Sequence, residues 1–380
     1  MRCADLEPGL AALAAGGSLR QRRVLAGAQG VRVEIDGRAM LSFASNDYLG
    51  LAAHPEIAAA ACAAAQTYGV GAGASHLLSG HHALHDALET RFAAMVGAPA
   101  ALLFSTGYMA NLGVVTALLG RHDALFADKL NHASLVDAAR LSGADHQRYH
   151  HNDMADLARR LAASTAPTKL IAVDAVFSMD GDTAPLAELL ALAERYDAWL
   201  LQDDAHGFGV LSLAERGVTA MPERLLYLAT FGKAAGVAGA AVAGSANAVA
   251  WLVNRARTYI YTTAQPPLLA AATLKSLDLI AQADDRRAHL RALIAHLQQR
   301  LAGLPWRLMP SVTPIQPLLV GDNATAVRLS QALAERGIWL PAIRPPTVPE
   351  GTARLRISLS AAHGFDGLDA LADALWGLAT

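Results

Sequence analysis

A lysine that follows an apolar strand and precedes small residues is placed for imine chemistry, and Thr230-Phe231-Gly232-Lys233-Ala234-Ala235-Gly236 has that form. Its amine must be neutral to attack a carbonyl. The side chain therefore needs burial or nearby cations to lower an ordinary pKa of about 10.4. Alone, a lysine is usually a solvated side chain. The stretch Trp199 to Gly207 (WLLQDDAHG) supplies company, because an apolar strand there runs straight into two acids and a histidine. A carboxylate at the carboxyl end of a parallel strand stands where α/β folds place ligands. Asp203 in that position suits a protonated ring nitrogen, whose charge turns a flat heterocycle into an electron sink. The competing role of Asp203 or Asp204 is to cap the next turn. Phe104 to Asn111 (FSTGYMAN) is a third strand end, opening a helix whose first backbone donors suit a phosphate, with Tyr108 beside them. An ordinary strand-to-helix turn has the same composition.

These residues need a scaffold, and the chain between them alternates short apolar runs with longer Ala/Leu-rich segments, the pattern of a parallel sheet connected by helices. Strands are expected at 100–104, 124–127, 170–176, 198–202, 225–230 and 238–243, and helices at 54–68, 84–96, 135–141, 154–163 and 185–196. Beyond Pro266 and Pro267 a long helical region is expected to about Leu301. Strands at 310–320, 337–342 and 353–359 then enclose a helix at 323–336, which reads as a second, smaller α+β unit. Runs 31–35 and 38–43 flank Asp36-Gly37 as a hairpin expected to pack with that unit. The expected division is an N-terminal segment 1–45, a large domain 46–285 and a small domain 286–380.

The 380 residues carry 31 basic and 33 acidic side chains, a net charge of -2 that offers no broad attraction for nucleic acid or anionic lipid. Only Cys3 and Cys62 occur, too few for a disulfide framework and in keeping with a reducing cytosol. Asp5 and Glu7 precede a short apolar run, 10–15, unlike a secretory signal, so a cytoplasmic location is expected. The uncharged stretch 236–253 reads as a buried strand and a helix, not a membrane span. Glycines 69, 71 and 73 lack the spacing and setting of a dinucleotide fingerprint. His81 and His85, with Glu89 one turn on, share a helix face. That face is read as polar, with no metal expected.

The motifs together resemble the α-oxoamine synthases, PLP-dependent transferases of fold type I, over about residues 18–363. The matching stretches are SFASNDYLG at 42–50, residues 75–80, FSTGYMAN at 104–111, NHAS at 131–134, VFSMDGD at 176–182, DDAHG at 203–207 and TFGKAAG at 230–236. The segment 342–363, with IRPPTVPEGTARLR, is similar to the branch that joins L-alanine to a pimeloyl thioester. The resemblance implies an α/β fold with a mostly parallel central sheet flanked by helices and a smaller α+β domain. It also implies pyridoxal 5'-phosphate as cofactor, L-alanine and a pimeloyl-CoA or pimeloyl-carrier protein as substrates, and a homodimer with active sites at its interface.

Position by position, the resemblance makes Lys233 the Schiff-base lysine and Asp203 the partner of the pyridine nitrogen. His206 and Ser178 fall near the phenolic oxygen, and His132 stacks on the ring. Gly107, Tyr108 and Thr230 contact the phosphate, and Thr262 or Thr263 reaches it from the neighbouring subunit. Arg356 and Asn46 hold the amino-acid carboxylate, while Arg20 and Thr347 touch the acyl substrate. Neighbouring Arg354 is expected to be solvated. Gly73-Ala74-Ser75-His76 departs from the consecutive glycines usual in the family, which points to a different substrate-side loop. The rival expectations are a sister synthase taking glycine or serine with another acyl-CoA, and a catalytically inert PLP-binding protein.

Overall fold

In the computed structural model, which describes residues 5–15, 19–20 and 22–379, the expected apolar runs become strands of one central sheet. Cys3 and Ser18, where the family likeness begins, lie outside the described residues. The helix Leu6–Ala15 leads into three N-terminal strands, β1 (Leu25–Ala26), β2 (Arg32–Ile35) and β3 (Arg38–Ser42). Asp36 and Gly37 both take positive φ, 50° and 77°, as a two-residue turn between twisted antiparallel strands requires.

The central sheet contains β4 (Ala100–Phe104), β5 (Ala124–Asp128), β6 (Asp145–Tyr149), β7 (Lys169–Asp174), β8 (Ala198–Asp203), β9 (Leu225–Thr230) and β10 (Ala240–Gly244). Their spatial order is β4-β10-β9-β8-β7-β5-β6. β10 is antiparallel to both of its neighbours, and the remaining pairs are parallel. Alternate residues of the inner strands enter two separate cores. Ile171, Val173 and Leu200 pack on one face, and Leu170, Ala172 and Leu201 on the other. Helices cover both faces, which is why these strands read as continuous apolar runs without a polar alternation.

Strand β6 was not expected, because Asp145-His146-Gln147-Arg148-Tyr149 is polar. Pairing only with β5, it forms the sheet edge, where charged side chains hinder pairing with another chain. The region after Pro266 is two helices, Pro267–Ala281 and Asp284–Leu301. Asp284 and Asp285 favour the start of the second, and Arg287 donates back to the Ile280 carbonyl at 3.0 Å.

A smaller antiparallel sheet, β11-β12-β15-β14, is built from β11 (Arg307–Leu308), β12 (Ile315–Gly321), β14 (Ala342–Ile343) and β15 (Ala353–Ser358). Between helix Asn323–Glu335 and β14, the short β13 (Ile338–Trp339) pairs in parallel with β3, joining the N-terminal hairpin to the C-terminal part of the chain. No helix among the described residues is long and apolar enough to cross a membrane.

Candidate active site

The parallel strands all deliver their last residues to one edge of the sheet. Asp174 ends β7, Asp203 ends β8 and Thr230 ends β9, while Gly107 opens the helix that follows β4. That edge borders a cavity of about 190 Å³, the crevice position expected of an open α/β sheet. Gly107, Tyr108, His132, Ser178, Asp203, His206, Thr230 and Lys233 all line it, so eight of the residues singled out in the sequence converge.

Asp203 is buried, and its carboxylate is held in place. Its Oδ2 accepts from Asn111 Nδ2 at 2.6 Å and its Oδ1 from the Ala205 backbone N–H at 3.0 Å. Desolvation brings the Lys233 amine down to about 8, against the opposing pull of Asp203 and Asp174. Asp174 is pushed well up, first by burial and then by Asp203, and its Oδ1 has no partner. Desolvation lowers His132, whose Nδ1 shares a 2.7 Å hydrogen bond with Ser134 Oγ and whose backbone N–H donates to Asp174 Oδ2 at 3.0 Å. Burial and the neighbouring Lys233 hold His206 well below its ordinary value, and its Nδ1 lies 2.6 Å from the Tyr48 hydroxyl. Both imidazoles are therefore neutral near pH 7.

Beside the cavity, the buried guanidinium of Arg356 is saturated. Nε donates to the Ser178 carbonyl, Nη1 to Ser358 Oγ at 2.9 Å and Nη2 to the Tyr48 hydroxyl at 3.3 Å. The outward fork is occupied by Asn46 Oδ1, 3.2 Å from both Nη1 and Nη2. A single oxygen there sits where a carboxylate would bind in two parallel hydrogen bonds. Arg354, expected to be solvated, is instead 3% exposed and donates to Asp180 Oδ1 at 2.8 Å and to the Met179 carbonyl. Both faces of β15 are covered, so the outward residue of the alternation also meets protein, and two arginines grip the 178–180 loop from one strand.

Arg20 and Thr347, far apart in sequence, meet at the exposed surface with Nη2 3.4 Å from Oγ1. Thr262 and Thr263 do not line their own chain's cavity. The polar face expected for His81, His85 and Glu89 is corrected. His85 is fully buried, Glu89 is half-buried with Oε1 accepting the Leu103 N–H at 2.9 Å, and only His81 is exposed. Helix Ala83–Val96 packs between β4 and helix Pro267–Ala281, which turns that face inward.

Sequence reasoning passed over Asn111, Asp174, Ser134 and Tyr48 as site residues. Asn111, Ser134 and Tyr48 lay inside motifs already quoted, whereas Asp174 fell inside the strand expected at 170–176 and ends the observed one, Lys169–Asp174, two residues earlier.

The polar groups of the cavity suit a phosphorylated pyridine aldehyde. They comprise an amine whose pKa burial lowers to about 8, a fixed carboxylate, a flat imidazole, and the first backbone donors of the Gly107–Leu118 helix beside Thr230, all lining one cavity.

Residues 38–375 match the family described as aminotransferase class I and II. An 8-amino-7-oxononanoate synthase of Herminiimonas arsenicoxydans is 61% identical over 375 residues, covering 96% of this chain and 97% of that protein. Among solved structures, serine palmitoyltransferase from S. paucimobilis with PLP and myriocin bound superposes with a TM-score of 0.91 at 27% identity, covering 98% of this chain and 96% of the other. An 8-amino-7-oxononanoate synthase from Francisella tularensis gives 0.77 at 29% identity, with 89% and 98% covered.

Proposed function

The chain belongs to the class I and II aminotransferase family, and from that premise we propose that it is a PLP-dependent acyltransferase joining L-alanine to a pimeloyl thioester. The products are 8-amino-7-oxononanoate, CO2 and the free thiol carrier, a step of biotin synthesis. The observation that carries this reading is the convergence of the Lys233 amine, the Asp203 carboxylate and the neutral His132 ring on one cavity, with the Arg356 fork beside it. Identity of 61% to a synthase of this kind over nearly the whole chain supports the choice of alanine and the pimeloyl group.

PLP, when bound, supplies the electron sink for the pair released at alanine Cα. Lys233 would hold its aldehyde carbon, Asp203 its pyridine nitrogen, His132 its face, and Gly107, Tyr108 and Thr230 its phosphate. Ser178 and His206 fall to the phenolic oxygen. With its pKa near 8, roughly a quarter of Lys233 is neutral at pH 7.5, against about 0.1% for an unperturbed lysine. Nζ can therefore take the Cα proton and later return it. Asn46 Oδ1 yields the Arg356 fork to the alanine carboxylate, which fixes the Cα–H bond for removal. That same carboxylate leaves as CO2 after the new C–C bond forms and the thiol departs. Tyr48 joins the two halves of the site, since its hydroxyl contacts both His206 and Arg356.

Arg20 and Thr347 form the outer, acyl-binding end. The enzyme acts as a homodimer in which Thr262 or Thr263 reaches the partner's phosphate, as the family likeness implies. Steady-state assays pairing alanine, glycine and serine with pimeloyl-CoA, pimeloyl-carrier protein and shorter thioesters test the reading. Alanine with a pimeloyl donor is expected to give the highest kcat/KM. Preference for serine with a long acyl-CoA would instead make the chain a sister synthase.

A further inference from the structure

We propose that His76, His81 and His85 bind one divalent transition-metal ion, with zinc as the reference occupant. The three come from the turn His76–Gly80, the residue after it and the first turn of helix Ala83–Val96, none of them part of the cavity described above. One ligand nitrogen from each ring lies within 4.8 Å of the other two. This convergence follows from the buried helix face and from the His76–Gly80 turn just ahead of it, with His76 and His85 both buried.

His76 Nδ1 and His81 Nδ1 are 2.8 Å apart, so one of them now carries a proton that the other accepts. Moving that proton to Nε2 of its own ring leaves two Nδ1 lone pairs facing one point. Zn–N bonds of about 2.0–2.1 Å would open the N···N distance only to about 3.3 Å. His85 donates from Nε2 to the Gln265 carbonyl at 2.7 Å, the outer hydrogen bond that metal-bound imidazoles commonly carry. Its Nδ1 accepts the His82 backbone N–H at 3.0 Å, and the ion would take that lone pair in the amide's place. His76 is held by stacking on Tyr259, with centroids 4.9 Å apart and planes 11° from parallel.

An all-imidazole set favours zinc, copper or nickel over magnesium or calcium. Exposed His81 leaves a remaining coordination position open to water. An ion here would brace the 74–82 loop against the segment carrying Thr262 and Thr263, which already meet through the Ala264 N–H and the Ala74 carbonyl at 2.9 Å.

The test is calorimetric titration of chelator-treated, PLP-loaded protein with zinc chloride, followed by metal analysis after gel filtration. One zinc per chain is expected for the wild type. His81→Asn and His76→Gln should each weaken binding about tenfold or more. His81 is exposed, so H81N is expected to retain the wild-type melting temperature without zinc and the bound-cofactor absorbance, which separates lost coordination from lost folding. Magnesium should not bind. No zinc uptake by the wild type at about 100 µM, or H81N binding zinc like the wild type, would overturn the proposal.

Discussion

Asn111 is wholly buried, and its Nδ2 donates to Asp203 Oδ2 at 2.6 Å and to Ser134 Oγ at 2.9 Å. Replacing it with alanine leaves a buried carboxylate short of one charge-assisted hydrogen bond, a loss of about 1.5–3 kcal/mol. If that energy orients Asp203 for the cofactor, kcat/KM falls roughly 10- to 150-fold, because each 1.4 kcal/mol is about a factor of ten. The assay follows exchange of the alanine α-proton into deuterated water by NMR, which reads proton removal without the acyl donor. An effect on packing alone would also lower activity, so the decisive comparison is a double-mutant cycle. Asn111 acts through Asp203 in this account. The variant Asn111→Ala/Asp203→Ala should therefore fall within about twofold of Asp203→Ala alone. Fully additive losses would refute the reasoning.

Three other residues are open to direct test. His151 bridges buried Asp128 at 3.0 Å and Asp182 at 2.7 Å, and these hydrogen bonds, overcoming the opposing effect of burial, raise its pKa to about 10. A group raised in the folded state stabilises fully below its ordinary pKa of 6.5 and loses that contribution as the pH climbs toward 10. The melting-temperature gap between wild type and His151→Gln should narrow from pH 7 to 10, and a constant gap would contradict the ion-pair role. Arg354→Met leaves Asp180 without its buried partner, and urea unfolding should show a loss of about 3 kcal/mol or more, partly recovered in Arg354→Met/Asp180→Leu. Gly236, at φ 68°, has no room for a side chain, since a Cβ there would lie 2.4 Å from the Ala52 nitrogen. Its N–H also caps the Lys233 carbonyl at 2.8 Å. Gly236→Ala should lower both melting temperature and PLP affinity, and a wild-type value for both would show that the turn relaxes freely.

Much of this site was legible because its chemistry stands at the ends of apolar strands. Asp203 and Thr230 could be placed from the strands that carry them, and Lys233 from the small residues after it. Polarity misled where burial was imposed from outside. Arg354 is covered by the Met179-Asp180 loop that folds over β15 and by Met309, while the edge strand Asp145–Tyr149, partly open to solvent, has no apolar run to reveal it. The placement of β10 between β4 and β9 depends on pairing across long stretches of chain, which local periodicity does not report. His85 and Glu89 share the face expected of them, yet whether that face meets water depends on helix Pro267–Ala281, far along the chain. Asn111 and Asp174 hold the catalytic groups from behind, through contacts that exist only once the strands are assembled.

Borohydride reduction of the PLP-loaded protein, followed by peptide mass mapping, tests most directly whether one cavity joins the amine at 233 to the cofactor. The account predicts the reduced pyridoxyl phosphate on the Lys233 peptide, and none after Lys233→Ala. Label on Lys129, Lys169 or Lys275 in its place would contradict it.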